Sequence, residues 1–132
     1  MRIGIDLDDT ICRTTEIVHD RVEKYAKSEN LNALDIMNDE QLKEGFFRIY
    51  LEDIYSNVEI KREVANVLKR IRNRGNQIYI ITARSSDLVP TVKDVKQITA
   101  RWLEEHEIEV DDIIVAAYGQ KKAEVCKEYK ID

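Results

Sequence analysis

A short apolar run near the amino terminus, Ile3-Gly4-Ile5, leads without a break into Asp6-Leu7-Asp8-Asp9-Thr10. Alternation with a period of two sets Ile3, Ile5 and Leu7 on one face of a strand, and Asp6 and Asp8 follow where that strand gives way to a loop. The carboxyl ends of strands are where open α/β sheets carry their chemistry. Three carboxylates within four residues repel one another, and such a group is costly to assemble unless a cation or a reaction uses it. The bland reading is a charged turn, because Asp is a common turn residue. Placement at a strand end favours a site.

Beyond this segment the chain alternates helical and strand patterns. Thr14 or Thr15 is placed to cap a helix that bears Ile17, Val18, Val22, Tyr25 and Ala26 and ends near Ser28-Glu29-Asn30. A second helix starts at Asn38-Asp39-Glu40 and carries Leu42, Phe46, Phe47, Ile49, Tyr50, Leu51 and Ile54. Residues 13–60 are therefore a helical insertion of two or so helices, too long for an ordinary strand-to-helix loop and suited to act as a cap. Val64, Val67, Leu68 and Ile71 form the next helical stripe, which Gly75 stops. Ile78-Tyr79-Ile80-Ile81 reads as a buried strand ending in Thr82-Ala83-Arg84-Ser85, and Pro90 falls in the loop that follows. Val95, Ile98, Trp102 and Leu103 mark a further helix, and Ile113-Ile114-Val115-Ala116 a third strand. Gly119-Gln120 turns into a last helix from about Lys122 to Lys130. Strands alternating with helices predict parallel pairing and right-handed crossovers. The expected fold is α/β, a Rossmann-like parallel sheet flanked by helices, with residues 1–12 and 61–132 as the core and a small helical cap inserted after the first strand.

Composition narrows the function classes. With 132 residues, 43% apolar and 36% charged, the chain supports one core and one domain. A net charge of -5 argues against a broad footprint for nucleic acid or an anionic membrane. No run approaches the ~20 apolar residues of a membrane span, and the start of the chain lacks a signal-peptide pattern. A cytoplasmic location is expected, with no membrane partner. Cys12 and Cys126 show neither zinc-site nor disulfide spacing and are expected as reduced thiols, Cys12 as a small buried filler. His19 and His106, among charged neighbours on helices, are expected as solvated surface residues. Trp102 is expected in the core. Phe46, Phe47, Tyr50 and Tyr55 read as a hydrophobic seam within the cap or against a partner, in preference to a platform for a nucleobase.

In a parallel sheet the strand ends converge on one edge, which would gather the carboxylates of Asp6 and Asp8, the hydroxyl of Thr82 and an amine from Lys121 or Lys122. That set suits phosphoryl transfer. A carboxylate attacks phosphorus, a hydroxyl and an ammonium hold the nonbridging oxygens, and Mg²⁺ offsets the charge of carboxylates facing a phosphate.

Asp6-Leu7-Asp8-Asp9-Thr10 resembles the DxDx[TV] first motif of haloacid dehalogenase (HAD) superfamily phosphatases. Ile80-Ile81-Thr82-Ala83-Arg84 resembles the second motif, and Lys122-Ala123-Glu124-Val125-Cys126 the lysine-led helix of the third. Their order and strand-end placement extend the likeness over nearly the whole chain. The early MRIGIDLDD start, the ITAR segment and KAEVCKEYKID together look most like the nucleotidase branch related to the 5'(3')-deoxyribonucleotidases.

The resemblance implies that Asp6 attacks the phosphate, forms an aspartyl-phosphate and lends an oxygen to Mg²⁺. It implies that Asp8 protonates the leaving group, then activates water, and adds its backbone carbonyl to the metal. Thr82 would hydrogen-bond the transferring phosphoryl group, and Lys122, favoured over its neighbour Lys121 by the KAEVC-like helix, would neutralise Asp6 and the phosphate. Thr10 and Ala83 join this phosphate-binding set. Arg84 either reaches a second phosphate or the substrate rim, or serves as a plain surface or capping residue. In the family a further strand with a pair of acids follows the segment matching Lys130-Ile131-Asp132 and adds metal ligands. Without it, weaker metal binding and an open edge on the first strand are expected, and that edge invites a homo-oligomer. The implied activity is Mg²⁺-dependent hydrolysis of a nucleotide or small phosphorylated metabolite, and the alternative is a catalytically weak relative serving as a binding or assembly module. A receiver domain also uses acids, a hydroxyl and a lysine. The helical insertion and the lack of an aspartate at the end of the third strand argue against it. A polynucleotide 3'-phosphatase gains no support from the acidic balance.

Overall fold

β1 (Arg2–Ile5) lies parallel to β2 (Gln77–Thr82), with Ile3 opposite Ile78 and Ile5 opposite Ile80. β2 in turn lies parallel to β3 (Asp112–Val115), with Ile80 opposite Ile113. In the computed structural model, which describes residues 1–84, 95–116 and 121–132, these strands form one sheet in the order β1-β2-β3. β2 is central, and Ile78 through Thr82 are all buried. Burial on both faces is why this strand reads as a continuous apolar run and not as an alternation. Ser85, Pro90 and the Gly119-Gln120 turn lie outside the described residues.

Six helices are described: α1 (Thr14–Glu29), α2 (Ala33–Asn38), α3 (Glu40–Asn57), α4 (Val64–Asn73), α5 (Val95–Glu105) and α6 (Lys122–Glu128). The sheet sends alternate residues to opposite sides. Ile78, Ile80 and Ile113 pack with Leu68 of α4 and with Trp102 and Leu103 of α5, while Tyr79, Ile81 and Ile114 pack with Val125 of α6 and with Ile131. Trp102 is fully buried, and its indole N–H donates to the carbonyl of Val58 at 2.8 Å, so the core keeps no unpaired donor there. His106 departs from its expected solvated role. Its ring lies 4.2 Å from that of Trp102 one helical turn away, and its Nδ1 is 2.8 Å from the Trp102 carbonyl oxygen. His19 is exposed.

The chain leaves β1 toward β2 and β3, then α6 crosses the other face and returns it to the free side of β1. There the Asp132 N–H donates to the Arg2 carbonyl at 2.9 Å and the Arg2 N–H donates to Asp132 Oδ2 at 2.6 Å. The winding therefore reverses at β1, and the carboxyl end of such a strand opens on a crevice. Asp132 sits at the opposite, amino end. Gly4 lets the Ile81 and Ile131 side chains close on this strand: a Cβ there would stand 2.7 Å from Ile81 Cδ1 and 3.1 Å from Ile131 Cγ2, and those side chains would have to shift.

Helices α1 to α3 build a second small core from Val22, Ala26, Ile36, Phe46 and Ile54. Phe46 is fully buried, with ring centroids 5.0 Å from Phe47, 5.3 Å from Tyr50 and 5.7 Å from Tyr25. The insertion holds three helices, one more than its apolar pattern suggests. Asn32 starts the extra one by accepting from the Leu34 N–H at 2.8 Å, and Asp39 caps α3 by accepting from the Leu42 N–H at 3.0 Å. Thr14 and Thr15 cap nothing: α1 begins at Thr14 behind Arg13, without a side-chain cap bond, because both hydroxyls are drawn to Asp8 and Asp9. The entering and leaving segments of the insertion pair with each other. The Arg13 N–H donates to Glu59 and the Lys61 N–H to Ile11, each at 2.9 Å. No described helix is long and apolar enough to cross a membrane.

Candidate active site

Asp6 is the residue after β1, and because Ile5 is paired with Ile80 it emerges beside the end of β2. Its Oδ1 accepts from Lys122 Nζ at 2.5 Å, and both side chains are 44% exposed. Lys122 opens α6, while Lys121 is the exposed residue that precedes it. Thr10 Oγ1 is 3.5 Å from Asp6 Oδ2, the outer limit of a hydrogen bond.

A tight coil follows. The Leu7 carbonyl accepts the N–H groups of Thr10, Ile11 and Cys12 at 3.3, 2.9 and 3.4 Å, and Asp9 takes the left-handed conformation with φ of 62°. Asp tolerates that region better than most residues. The turn aims Asp9 at the start of α1, where it accepts the Thr15 hydroxyl at 2.6 Å and the Thr15 N–H at 2.9 Å. The Thr15 hydroxyl, and then its N–H, hold the Asp9 carboxyl below its ordinary range. Lys61 Nζ bonds the Asp9 carbonyl.

Asp8 is engaged differently. Its Oδ1 accepts from Arg84 Nη2 at 2.7 Å, from Arg84 Nε at 3.1 Å and from the Thr14 hydroxyl at 2.6 Å, and its Oδ2 accepts from Arg84 Nε at 3.2 Å. The Arg84 side chain is 1% exposed, against 32% for Asp8. Arg84 Nη1 also donates to Thr99 Oγ1 at 3.3 Å, its Nη2 lies 3.7 Å from Cys12 Sγ, and its guanidinium lies 3.9 Å above the ring centre of Tyr55. This planar fork between a carboxylate and an aromatic face is a geometry that arginine, and not lysine, satisfies. Arg84 is thus neither a rim nor a surface residue, because α3, α5 and the segment entering the cap close over it. Burial, ahead of every other cause, pushes the Tyr55 hydroxyl up to about 12 and raises the Cys12 thiol. Cys12 fills space, and it also borders the ion pair. A raised thiol is a poor nucleophile.

Thr82 is 1% exposed, and its Oγ1 accepts from the Arg84 N–H at 3.1 Å. Ala83, next in the chain, is exposed. The strand ends therefore bring Asp6 and Lys122 into direct contact, with Thr10 at the margin. Half-buried Asp8 and buried Arg84 form a separate pair, and Thr82 is bonded to the Arg84 backbone.

Among the described residues, no three His, Cys, Asp or Glu side chains are grouped to hold a metal. The Asp8 carboxylate is taken by donors, which leaves Asp6 as the one open carboxylate of the loop. Mg²⁺ keeps several waters and takes one or two carboxylates together with substrate phosphate, so the donor set suits a weakly held ion at Asp6.

Tyr55, Thr99, Thr14 and Thr15 belong to this region, and the sequence reading gave them other roles or none. Two signals were present in the chain. Thr14-Thr15 follows Asp8-Asp9 at the same offset, and Thr99 interrupts the apolar stripe of Val95, Ile98 and Trp102.

No protein-family model matches the sequence, and no curated protein matches it. Among solved structures, the chain is similar to a hydrolase from Streptococcus pneumoniae TIGR4, with a TM-score of 0.54 and 14% identity over 99% of this chain and 78% of that one. It is also similar to a dehalogenase, with a TM-score of 0.53 and 11% identity over 99% of this chain and 71% of that one. At such identities the likeness is one of fold alone: a parallel α/β sheet flanked by helices.

Proposed function

We propose that this chain is a HAD-type hydrolase that cleaves a small phosphorylated metabolite or nucleotide through an aspartyl-phosphate on Asp6. The observation that carries this reading is the exposed Asp6–Lys122 contact at the carboxyl end of β1, where the neighbouring acids Asp8 and Asp9 are otherwise engaged. Asp6 Oδ2, the oxygen not bonded to Lys122, attacks phosphorus, and the Lys122 ammonium offsets the charge gathered there. Water then attacks the aspartyl-phosphate, releases phosphate and restores Asp6. The Thr10 hydroxyl and the exposed backbone at Ala83 border the phosphate position. Asp6 and the Asp8 backbone carbonyl would hold Mg²⁺, together with water and substrate, and the ion would supply further positive charge.

The nucleotidase branch of the family is supported by the sequence motifs alone. A net charge of -5 supports a small-molecule substrate over nucleic acid or a membrane, in the cytoplasm. Beyond Arg2, β1 is an edge strand of the described sheet, and a second copy covering it is detectable as a dimer by size exclusion with light scattering.

Wild type should hydrolyse para-nitrophenyl phosphate in Mg²⁺ buffer, and Asp6→Asn should not. Equal, vanishing rates for both proteins would favour a second reading, a catalytically silent HAD-fold binding or assembly module. In that reading the Asp6–Lys122 contact is an ordinary exposed ion pair.

A further inference from the structure

The amino end of the sheet, opposite to Asp6, carries two blocks of opposite charge. Residues 69–74, at the end of α4, hold four Lys and Arg and no acid, while residues 104–112 hold six Asp and Glu and no Lys or Arg. α4 ends just before β2 begins, and Asp112 opens β3, so both blocks border the same end of the parallel strands. Among the described residues Arg72 alone joins them, to Asp111 at 2.7 Å and to Glu109 at 3.7 Å. Lys69, Arg70 and Arg74 form no ion pair among the described residues, and neither do Glu104, Glu105 and Glu107.

The shapes match as the charges do. On the acidic side a groove of about 560 Å³ has the buried side chains of Leu103, Ile108 and Ile113 along its floor, with Glu104, Glu107 and Glu109 exposed around it. Lys96 is the one cation of that lining, and it is paired with Asp112 at 3.4 Å. On the basic side Val67 is 45% exposed, and the exposed Arg70 and Arg74 follow it by three and seven positions, on the same face of α4 and its cap. A lone exposed valine is ordinary. An apolar knob set between cations, on the same rim as an apolar groove set between acids, is a complementary pair. Leu68 is buried in the core, so the face that bears Val67 turns outward and can meet such a groove only on another molecule.

We propose that the occupant of the groove is a second copy of this chain: in a two-fold dimer the Val67, Arg70 and Arg74 face of each copy docks against the Glu104 and Glu107 groove of the other. Because face and groove are neighbours on one rim, half a turn exchanges them and both contacts form together. Making the contact twice doubles the buried area toward the ~1,200 Å² that stable association takes. Groove against groove would set acids on acids, which opposes that alternative pairing. Asp6 and Lys122 lie at the carboxyl end of β1, so the dimer leaves the candidate active site open.

The test is mass by size exclusion with light scattering at about 0.05 M and about 0.5 M salt, because exposed ion pairs are screened over that range. It compares wild type with Val67→Glu, with the double reversal Arg70→Glu/Arg74→Glu and with the double reversal Glu104→Lys/Glu107→Lys, each confirmed as folded by circular dichroism. Wild type should be a dimer at low salt and a monomer at high salt. Val67→Glu and each reversal should raise the dissociation constant by about tenfold or more. A one-to-one mixture of the two reversed proteins should recover the dimer, since acids then meet cations at both contacts. If a reversed protein fails to fold, Val67→Glu decides alone: a dimer as tight as wild type would overturn the proposal. So would a wild-type monomer at low salt and high concentration, a mass that climbs past two copies, or a mixture that stays monomeric. A dimer indifferent to salt and to every variant would also overturn it, and would assign association to the β1 edge.

Discussion

Asp6 and Asp8 leave the same strand end two residues apart, yet one meets a half-exposed lysine and the other a buried arginine. In the Asp6–Lys122 pair both partners are 44% exposed, whereas the Arg84 side chain that meets Asp8 is 1% exposed. An exposed pair is worth ~1 kcal/mol at most, so an incoming phosphate can displace it at little cost. A buried cation behaves otherwise: removing the carboxylate that meets Arg84 strands its charge and costs about 3–5 kcal/mol. The comparison separates two tasks. Under the proposed function, reactivity resides where the ion pair is weak, and the arginine that shapes the loop is shielded from exchange.

The largest effect expected from this contrast is on turnover. Asp6→Asn should reduce phosphate release to background while leaving the thermal midpoint nearly unchanged, which calorimetry and a phosphate assay check together. A large drop in midpoint would mean that Asp6 supports the fold and would dissolve the division of labour. The next effect is on stability. Asp8→Ala, which strands the buried Arg84 cation, should lower the unfolding free energy by about 3–5 kcal/mol in urea titrations, against ~1 kcal/mol or less for Lys122→Met. Equal losses for the two variants would break the comparison outright.

A smaller effect should appear at alkaline pH. Burial holds Tyr55 up to about 12 against its ordinary 10.0, so the unfolded chain loses this proton first as pH rises. Between those two values the unfolded state binds fewer protons than the folded one, and stability falls. The fall assigned to Tyr55, read as the difference between wild type and Tyr55→Phe, should be on the order of 2 kcal/mol, complete near the upper value and absent below the lower one. Because Tyr55 covers Arg84 from the cap, a missing difference would mean that the cap does not seal the buried arginine.

What was legible in the chain divides along the same line. The sheet could be read because β1, β2 and β3 announce themselves as short β-branched runs, and the register that sets Ile5 beside Ile80 places Asp6 where a strand-end acid should be. The meeting of Asp6 with Lys122 crosses 116 positions and still follows from strand-end logic, since both residues sit at the boundary of a regular element. Arg84 was legible at the end of β2 but not as a buried residue. Its burial depends on Tyr55 and Thr99 converging from two helices whose packing no local pattern encodes. The aromatic run in α3 likewise announced a hydrophobic cluster without showing that Phe46 lies inside the cap while Tyr55, on the same helix, turns toward Arg84. The short α2 escaped because one turn and a half offers too few apolar positions for a period, and only the Asn32 cap marks it.

Asp9 sharpens the comparison from a third side, with the smallest effect. It is exposed like Asp6, yet it is bonded like Asp8, with the Thr15 hydroxyl and N–H both pointing at it. Thr15→Val removes the hydroxyl and keeps the backbone bond, so stability at neutral pH should fall by on the order of 1 kcal/mol, as for the loss of a helix cap. The Asp9 carboxyl is held below its ordinary 3.8 by those bonds, so its contribution is present above that value and fades as pH falls through the lower folded-state value. The gap between wild type and Thr15→Val should therefore close in acid, and added salt should narrow it at neutral pH because the carboxylate is exposed. Activity per folded molecule should be unchanged, since Asp9 serves the start of α1 and not the phosphate. A loss of turnover in Thr15→Val without a loss of stability would move Asp9 from the structural acids to the reactive one and leave Asp8 alone in its class.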